Sequence, residues 1–289
     1  MREIRQAKMA ISLSTMRVWL PLVALAAGTA FALLSCGDDG AEQPVSPIEE
    51  ILDGDILIED IGSDSANVRV VTTIPVVCAV VFGSDESYGR ISTDPDMGGA
   101  AHTDHFAPLR GLEPDTLYHY RLQGTGPDGT LYASDDLTFR TAAGDPAQTA
   151  RGPNLASVAE GASVREASSV FGGSAAWQAE NAIDGDPLSE WSSNGDGDDA
   201  FITVELPDET QLTAVGLWSR TMGTSAEITQ FQVVTDRGET LGPFALDNAN
   251  RLYTFDVSAV ARWLRFEVVS SSGGNTGAVE ITVYGETAR

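Results

Sequence analysis

Short segments in which apolar and polar residues alternate, or in which apolar residues run together, fill much of the chain after residue 55. In the first half they are residues 66–73, 76–82, 117–124 and 136–142, with the turn sequence GPDG before the last of them. Segments of strand length, separated by Gly, Pro and Asp turns and lacking a helical period, are typical of a β-sandwich. The pattern predicts one sandwich over residues 55–142.

A second set of such segments follows at residues 201–206, 212–219, 228–236, 252–258, 262–269 and 279–285. Between the two sets, residues 143–153 have no periodicity and are rich in small residues, Pro and Gly, which is typical of a linker. The second domain is predicted to cover residues 154–287. The fold class is therefore expected to be all-β, with two successive β-sandwiches.

The N-terminus carries a targeting signal. Residues 18–34 are uncharged and mostly apolar, basic residues precede them, and the run is short for a membrane span. It ends in LLSC, which resembles the bacterial lipobox, whose cysteine is lipidated and becomes the first mature residue. This resemblance implies a signal peptide at residues 1–35, lipidation of Cys36 and a flexible tether over residues 36–54. A plain signal peptide cut nearby is the alternative, and translation could start at Met1 or Met16.

Charge and cysteine content limit the partners. The chain has 42 Asp and Glu against 17 Lys and Arg, a net charge of −25. An acidic surface repels phosphate backbones, so nucleic acid is not expected as a partner, whereas divalent cations or a salty exterior suit it. Gly37 after the lipobox cysteine favours the outer membrane or cell surface of a bacterial envelope, reached through the lipid anchor alone. Cys78 lies in an apolar run and is expected to be a buried, inert thiol.

The first predicted sandwich resembles a fibronectin type III domain. The segments LRGLEPDTLYHYRLQG and LTFRTA carry the resemblance, most closely to the domain that precedes the catalytic domain of purple acid phosphatases. Leu112, Pro114, Thr116 and Tyr118 fall on the family pattern, which implies that Tyr118 is the corner tyrosine of the sandwich. The Asp, Asn and His motifs of metallophosphatases are absent downstream, so the resemblance does not imply that enzyme.

The second predicted sandwich resembles the discoidin domain, also called coagulation factor 5/8 type C, including the family 32 carbohydrate-binding modules. Its landmarks occur in family order: NLA at 154–156, AENAIDGDPLSEWSS at 179–193, then FITVEL, ARWLRFEVV and GAVEITVYG. The resemblance implies a jelly roll of the galactose-binding type.

Residues 181–199 form an acidic stretch that could bind a metal. An EF-hand is excluded, because neither Asp184 nor Asp196 as first ligand places suitable residues at the later ligand positions. The carbohydrate-binding branch of the discoidin family instead implies a structural Ca²⁺ bound by Asn181, Asp184, Asp186, Ser189, Ala278 and Glu280. The alternative is that Asp184 and Asp186 only cap turns, with Glu280 on an exposed strand face. The cluster at residues 196–199 is not part of the family site and is interpreted as a solvated acidic turn.

A sugar site combines an aromatic face with carboxylate, amide or Arg groups for hydroxyls. Galactose-binding relatives carry an Arg, an Asn five residues later and an aromatic residue; here Arg220 fits, Ser225 replaces the Asn, and residues 270–277 contain no aromatic residue. The ligand-binding candidates are Phe171, Trp177, Asn194, Arg220, Met222 and Asn275. For Trp177, packing in the core is the competing interpretation, and Trp191, Trp218 and Trp263 are expected to be core residues.

Other chemistry is weakly supported. His102 and His105, with Asp104 between them, have the spacing of a zinc pair, but no second pair of ligands accompanies them. No nucleophile elbow, phosphate loop or paired His–Glu motif is present, so no enzyme is predicted. The predicted function is binding of a glycan or cell-surface polymer by an envelope lipoprotein. The alternative is a structural or protein–protein adhesion role in the envelope, with an envelope protein as partner and no sugar site.

Overall fold

The computed structural model describes residues 44–95 and 100–287, in which the regular structure is dominated by β-strands. The predicted signal peptide and the predicted lipidation site Cys36 lie outside the described residues. Within the described ranges, no helix is both long enough and apolar enough to cross a membrane.

The first sandwich has eight strands within residues 44–95 and 100–142. They are β1 (Val45–Pro47), β2 (Leu57–Glu59), β3 (Ser65–Gly83), β4 (Arg90–Thr93), β5 (His102–Arg110), β6 (Leu117–Thr125), β7 (Leu131–Ala133) and β8 (Leu137–Arg140). The start of β3 pairs with β2 and β5, and its end pairs with β4 and β6. The pairing with β5 is irregular between Val71 and Val76, around Pro75, which has no N–H to donate. The two predicted segments on either side of Pro75 are therefore one bent strand that serves both layers.

The first sandwich begins earlier than the sequence predicted. Residues 45–52 were assigned to the tether, but β1 pairs in parallel with β7, and a 3₁₀ turn follows at Ile48–Glu50. Ile48 and Ile51 are buried among Val76, Cys78 and the other core residues. Burial of these two side chains stabilises the packed state, so the tether prediction is wrong for this segment.

Tyr118 has the geometry expected of a corner tyrosine. Its hydroxyl accepts a hydrogen bond of 2.9 Å from the backbone N–H of Glu113, and its ring stacks on Phe139 across β6 and β8. The hydrogen bond fixes the turn that leads from β5 into β6.

The second sandwich follows a short connection. Its strands within residues 143–287 are β9 (Ser163–Ala167), β10 (Trp191–Ser192), β11 (Phe201–Ser219), β12 (Ile228–Thr235), β13 (Thr240–Ala245), β14 (Tyr253–Ser271) and β15 (Gly277–Thr287). The strands are hydrogen-bonded in the order β10-β15-β11-β14-β12-β13, and β9 adds to β11. The long loops carry 3₁₀ turns at Val158–Glu160, Phe171–Gly173, Ala175–Trp177, Ala179–Ile183 and Gly197–Asp199.

Trp191, Phe231 and Leu264 lie in the core of this sandwich, and each is almost fully buried. Strand β11 merges two predicted segments, because it continues through a register shift between Glu205 and Thr210. The all-β fold with a C-terminal jelly roll is confirmed.

The connection between the sandwiches is ordered. Residues 143–153 were predicted as a linker, and they contain the short helix α1 (Pro146–Ala150), capped by the Asp145 side chain. Gln148 Nε2 donates to Thr254 Oγ1 at 2.7 Å, and Arg151 forms an ion pair with Asp256 at 2.8 Å. The connection is therefore attached to β14 of the second sandwich.

The two sandwiches also contact each other directly. Ser65 Oγ donates to the carbonyl of Asn250 at 2.7 Å, and Asn250 Nδ2 donates to Asp60 at 2.6 Å. Gly111 has a positive φ and lies so close to Pro187 that a Cβ would be 3.1 Å from the proline ring. The approach of Gly111 to Pro187 brings the β5–β6 turn of the first sandwich against the acidic loop of the second.

Candidate functional site

The first half of the acidic stretch folds into a tight loop whose oxygens face one another. Ser189 Oγ lies 2.7 Å from Asp184 Oδ2, 3.2 Å from the Asp186 carbonyl and 3.4 Å from the Asn181 carbonyl. Three other residues predicted to bind calcium thus surround the hydroxyl of Ser189, which is itself a predicted ligand. The loop also contains Asx turns, because Asp184 and Asp186 each accept a hydrogen bond from the backbone N–H two residues later.

Glu280 on β15 faces this loop. Its carboxylate accepts hydrogen bonds from Asn154 Nδ2, at 3.2 Å, and from the backbone of Gly185. Burial, then the negative charge of Asp184, raises the pKa of Glu280 to about 8, and Asp186 contributes in the same direction. Glu280 is therefore not on an exposed strand face, which was part of the turn-capping alternative.

This donor set fits a hard cation. Calcium takes carboxylate, hydroxyl and carbonyl oxygens in flexible geometry, and all three kinds converge between the loop and β15. Burial and the neighbouring carboxylates raise the pKa of Glu280, because both destabilise its charged form when no positive charge offsets them. The residues that would bind the ion are Asp184, Ser189, Glu280 and the carbonyls of Asn181 and Asp186.

Ala278, the remaining predicted ligand, lies on β15 opposite Trp191 of β10. The backbone here is tightly packed: a Cβ on Gly277 would lie only 2.0 Å from the Trp191 carbonyl oxygen. Only glycine allows this approach, which places Ala278 and Glu280 beside the acidic loop.

The second acidic cluster connects loops and is not simply solvated. Asp196 accepts a hydrogen bond from Ser169 at 2.6 Å, and Asp198 accepts one from Ser271 at 2.6 Å. The Gly197 carbonyl accepts a hydrogen bond from Thr276 Oγ1 at 2.8 Å. The cluster therefore joins the loop after β9, which carries Phe171 and Trp177, to the loop between β14 and β15, which carries Asn275.

Five of the six ligand-binding candidates lie in one continuous set of contacts. Phe171 is 41% exposed and meets the partly buried ring of Trp177 edge to face, with 6.4 Å between centroids. Asn194 Oδ1 accepts a hydrogen bond from the backbone of Gly172 at 3.4 Å. The Arg220 guanidinium lies 5.6 Å from the Trp177 ring centroid and donates to the carbonyl of Asn275. Met222 is partly exposed on the β11–β12 loop, where its backbone N–H bonds to Ser225.

Arg220 is buried and bonded within the protein. It is 4% exposed, its Nε lies 3.0 Å from Glu190 Oε1, and its Nη1 lies 2.5 Å from the Asn275 carbonyl oxygen. Its donors are thus engaged within the protein, and the guanidinium supports the Trp177 ring from behind. Trp191 and Trp218 are buried, as the sequence predicted, and Trp263 is partly buried.

Glu190 is a residue that the sequence analysis missed. Its second oxygen, Oε2, lies 3.0 Å from Arg110 Nη1 of the first sandwich, and the Arg110 guanidinium also lies over the Trp218 ring. No sequence signal marks this carboxylate, because its two Arg partners are distant along the chain. The Arg110–Glu190–Arg220 contact links the loop face of the second sandwich to the first sandwich.

Comparison with solved structures gives small carbohydrate-binding domains that align with about half of the chain. The family 32 module of Clostridium perfringens NanJ, solved with galactose, is 19% identical; 43% of this chain and 94% of that one are covered, with a TM-score of 0.38. Another C. perfringens family 32 module, solved with GalNAc-β-1,3-galactose, is 19% identical over 46% of this chain and 99% of that one, with a TM-score of 0.39. A chitosan-binding module from Paenibacillus sp. IK-5 is 20% identical over 46% of this chain and all of that one, with a TM-score of 0.35.

No curated protein matches the chain significantly. The scan of family models matches residues 165–281, which include the acidic loop, the aromatic pair, Arg220 and Glu280, to the model described as F5/8 type C domain. The second sandwich therefore contains an F5/8 type C domain, also called a discoidin domain.

Proposed function

We propose that this protein is a bacterial envelope lipoprotein that binds a glycan or a cell-surface polymer, without catalysis, through its discoidin domain. The observation that carries the proposal is the pair of the exposed Phe171 ring and the partly exposed Trp177 ring, with the Asn194 amide bonded to the neighbouring Gly172. An aromatic face suits the C–H face of a sugar ring, and amides suit its hydroxyls. Met222 on the neighbouring loop adds apolar area beside this surface.

Calcium is proposed as the structural ion of this domain. The convergence of Asp184, Ser189 and Glu280 supports it, since a largely buried carboxylate that faces a second carboxylate is stabilised by a compensating positive charge. The ion would attach the loop containing residues 181–189 to β15 and so fix the base on which the aromatic surface rests. It would make no direct contact with the ligand.

The lipid anchor is proposed from the lipobox-like LLSC sequence ending at Cys36. With the anchor at the N-terminus, the first sandwich separates the discoidin domain from the membrane. An outer-membrane or cell-surface position leaves the aromatic surface free to meet polymers of the envelope.

A glycan array with the full chain tests the binding function. We expect calcium-dependent binding to one glycan class, weakened about tenfold or more in Phe171→Ala, since a buried Phe side chain contributes about 1.5–3 kcal/mol. Val158→Ala is the matched control, because Val158 is an exposed apolar residue of the same sandwich outside the aromatic surface. Binding that is equal in the two variants, or absent from every glycan, would contradict the proposal.

A second function is supported by one observation. The donors of Arg220 are engaged by Glu190 and the Asn275 carbonyl, so the charged group that galactose-binding relatives use for hydroxyls is occupied here. That arrangement favours protein–protein adhesion in the envelope. Capture of a defined envelope protein by the full chain, lost in Phe171→Ala and accompanied by an empty glycan array, would support adhesion in place of glycan binding.

A further inference from the structure

Three side chains of the first sandwich, far along the chain from the calcium loop, point their ligand atoms at one place. One ligand atom from each of Asp94, His102 and His105 lies within 4.8 Å of the other two. His102 Nε2 is 2.9 Å and His105 Nδ1 is 3.8 Å from the same oxygen, Asp94 Oδ2. Asp94 follows β4, and the histidines belong to β5.

The irregular pairing of β3 with β5 accompanies this arrangement. Residues three apart in a regular strand face opposite sides, yet the two imidazole rings lie 4.6 Å apart and nearly parallel. On β3 the partners of His102 and Asp104 are Val76 and Val71, so the extra residues of β3 bulge at this point. Asp104, which the sequence places between the histidines, is exposed, and Asp94 takes its place beside them.

The hydrogen bonds of His105 fix its tautomer. Its Nε2 lies 3.3 Å from Thr72 Oγ1, and the other contacts of that hydroxyl are the carbonyls of Ile74 and Thr103, which can only accept. Thr72 therefore donates to a carbonyl and accepts from His105 Nε2–H, which leaves Nδ1 as the lone-pair nitrogen. That nitrogen is buried, makes no hydrogen bond among the described residues, and belongs to a side chain that is 3% exposed.

The contact of His102 with a backbone carbonyl likewise fixes the tautomer of its ring. Its Nδ1 lies 3.3 Å from the Ala100 carbonyl, which is an acceptor, so Nδ1 carries a proton. In the neutral ring Nε2 is then a lone pair that faces a carboxylate oxygen 2.9 Å away. A proton on His102 Nε2 satisfies only the contact between His102 Nε2 and Asp94 Oδ2, and it leaves His105 Nδ1 without a partner. A metal ion satisfies all three acceptor atoms together.

We propose that Asp94, His102 and His105 form a zinc site in the first sandwich. Two imidazoles and one carboxylate are ordinary zinc ligands, and bonds of about 2.0–2.2 Å in a tetrahedral site separate ligand atoms by about 3.3–3.5 Å, within the spacing seen here. The backbone N–H of Phe106 donates to Asp94 Oδ2 at 2.9 Å and holds the carboxylate in place. His102 is partly exposed, so the fourth coordination position opens to solvent.

Zinc binding can be measured on the full chain, without an affinity tag, after chelation and in the presence of millimolar Ca²⁺. The chain contains three histidines, so every imidazole nitrogen can be followed by ¹⁵N NMR. We expect one Zn²⁺ per chain, with large shifts of His102 Nε2 and His105 Nδ1 and none for His119. His102→Gln should weaken binding by more than about 100-fold, since loss of an outer-sphere partner alone costs about 10–100-fold.

His119→Gln is the matched control. His119 also contacts a carboxylate, Asp136 at 2.7 Å, in an exposed cluster with Glu86. The proposal predicts that this variant retains full zinc affinity. His102→Gln alone suffices if His105 variants fail to fold, because His102 is near the surface. Absence of stoichiometric zinc binding would overturn the proposal. So would binding lost in His119→Gln or Asp184→Asn but retained in His102→Gln.

Discussion

Arg110 of the first sandwich and Glu190 of the second form an ion pair of 3.0 Å in which each side chain is only 12% exposed. The other oxygen of Glu190 lies 3.0 Å from Nε of Arg220, so a single carboxylate forms ion pairs with two Arg residues at the junction. This contact makes the loop face of the discoidin domain and the first sandwich one continuous structure.

Glu190→Ala is expected to destabilise the whole chain. Removal of one partner of a buried ion pair costs about 3–5 kcal/mol, because the remaining charge, here Arg220, stays buried without compensation. Chemical denaturation measures the loss. The control is Glu209→Ala, whose ion pair with Arg237 is half-exposed and should contribute about 1 kcal/mol or less. Equal losses in both variants would show that Glu190 does not hold the junction.

The effect of Glu280→Gln on the melting temperature should reverse when calcium is added. In chelator the variant is expected to melt at or above the temperature of the unmodified protein, because it removes a buried carboxylate that Asp184 repels. Saturating Ca²⁺, at about 100-fold over Kd, should stabilise the unmodified protein by about 2.7 kcal/mol and leave the variant unchanged. Differential scanning calorimetry of both proteins with and without Ca²⁺ measures whether the order of their melting temperatures reverses.

Asp184→Asn and Asp186→Asn form a matched pair for the same site. The Asp184 carboxylate faces Ser189, whereas Asp186 is expected to offer only its carbonyl while its side chain caps the N–H of Leu188. Calcium should therefore raise the melting temperature of Asp186→Asn but not of Asp184→Asn. A calcium response that survives in Asp184→Asn would refute the proposed ligand set.

Tyr118→Phe is expected to cost about 1–3 kcal/mol, because it leaves the N–H of Glu113 without its acceptor. Tyr120 on the same strand offers a control, since its ring is buried and its hydroxyl makes no hydrogen bond within the described residues. Tyr120→Phe should therefore cost less. Urea denaturation of the two variants compares them, and a reversed order would contradict the corner assignment.

The stability of the chain should depend on pH through Asp64. Burial raises the pKa of Asp64 above its ordinary value of 3.8, despite hydrogen bonds from Ser65 and the backbone and the charge of Arg251. The folded state therefore binds this proton more tightly than the unfolded state does. The contribution of Asp64 should fall as the pH rises from about 3.8 through the raised pKa, and then stay constant. Asp64→Asn should remove this slope, which denaturation midpoints measured across the acid range would reveal.

The strands β3, β6, β11, β12, β14 and β15 were predictable because their apolar positions and their turn residues are local properties of the sequence, whereas β5 lies outside the predicted segments. The continuity of β3 and β11 was not predictable. In a sequence, a proline or a short polar segment indicates the end of a strand, but here a bulge allows the strand to continue. Ile48 and Ile51 were predicted to lie in the tether for a similar reason, since only the packed sandwich supplies the surfaces that bury them.

For the candidate site, the resemblance supplied the residues, and the structure supplied their environment. The resemblance could not show that Glu190 engages the Arg220 guanidinium. The same carboxylate also pairs with Arg110, which belongs to another domain. The resemblance could not pair Asp94 with His102 either, since their contact depends on an irregularity in a third strand. Local patterns predict elements, whereas contacts between distant elements decide which polar groups remain available.

The position of Glu280 on β15 has a consequence for biogenesis. A chain that emerges N-terminus first exposes the loop with Asp184 almost a hundred residues before the carboxylate that faces it. Under the proposed export, the first sandwich, which closes with β8, can fold first, as domains generally fold in order of their appearance. The proposed cation site of the second sandwich would then be completed only when β15 has crossed the membrane. Calcium outside the cytoplasm would then act as the final step of folding, after translocation has ended.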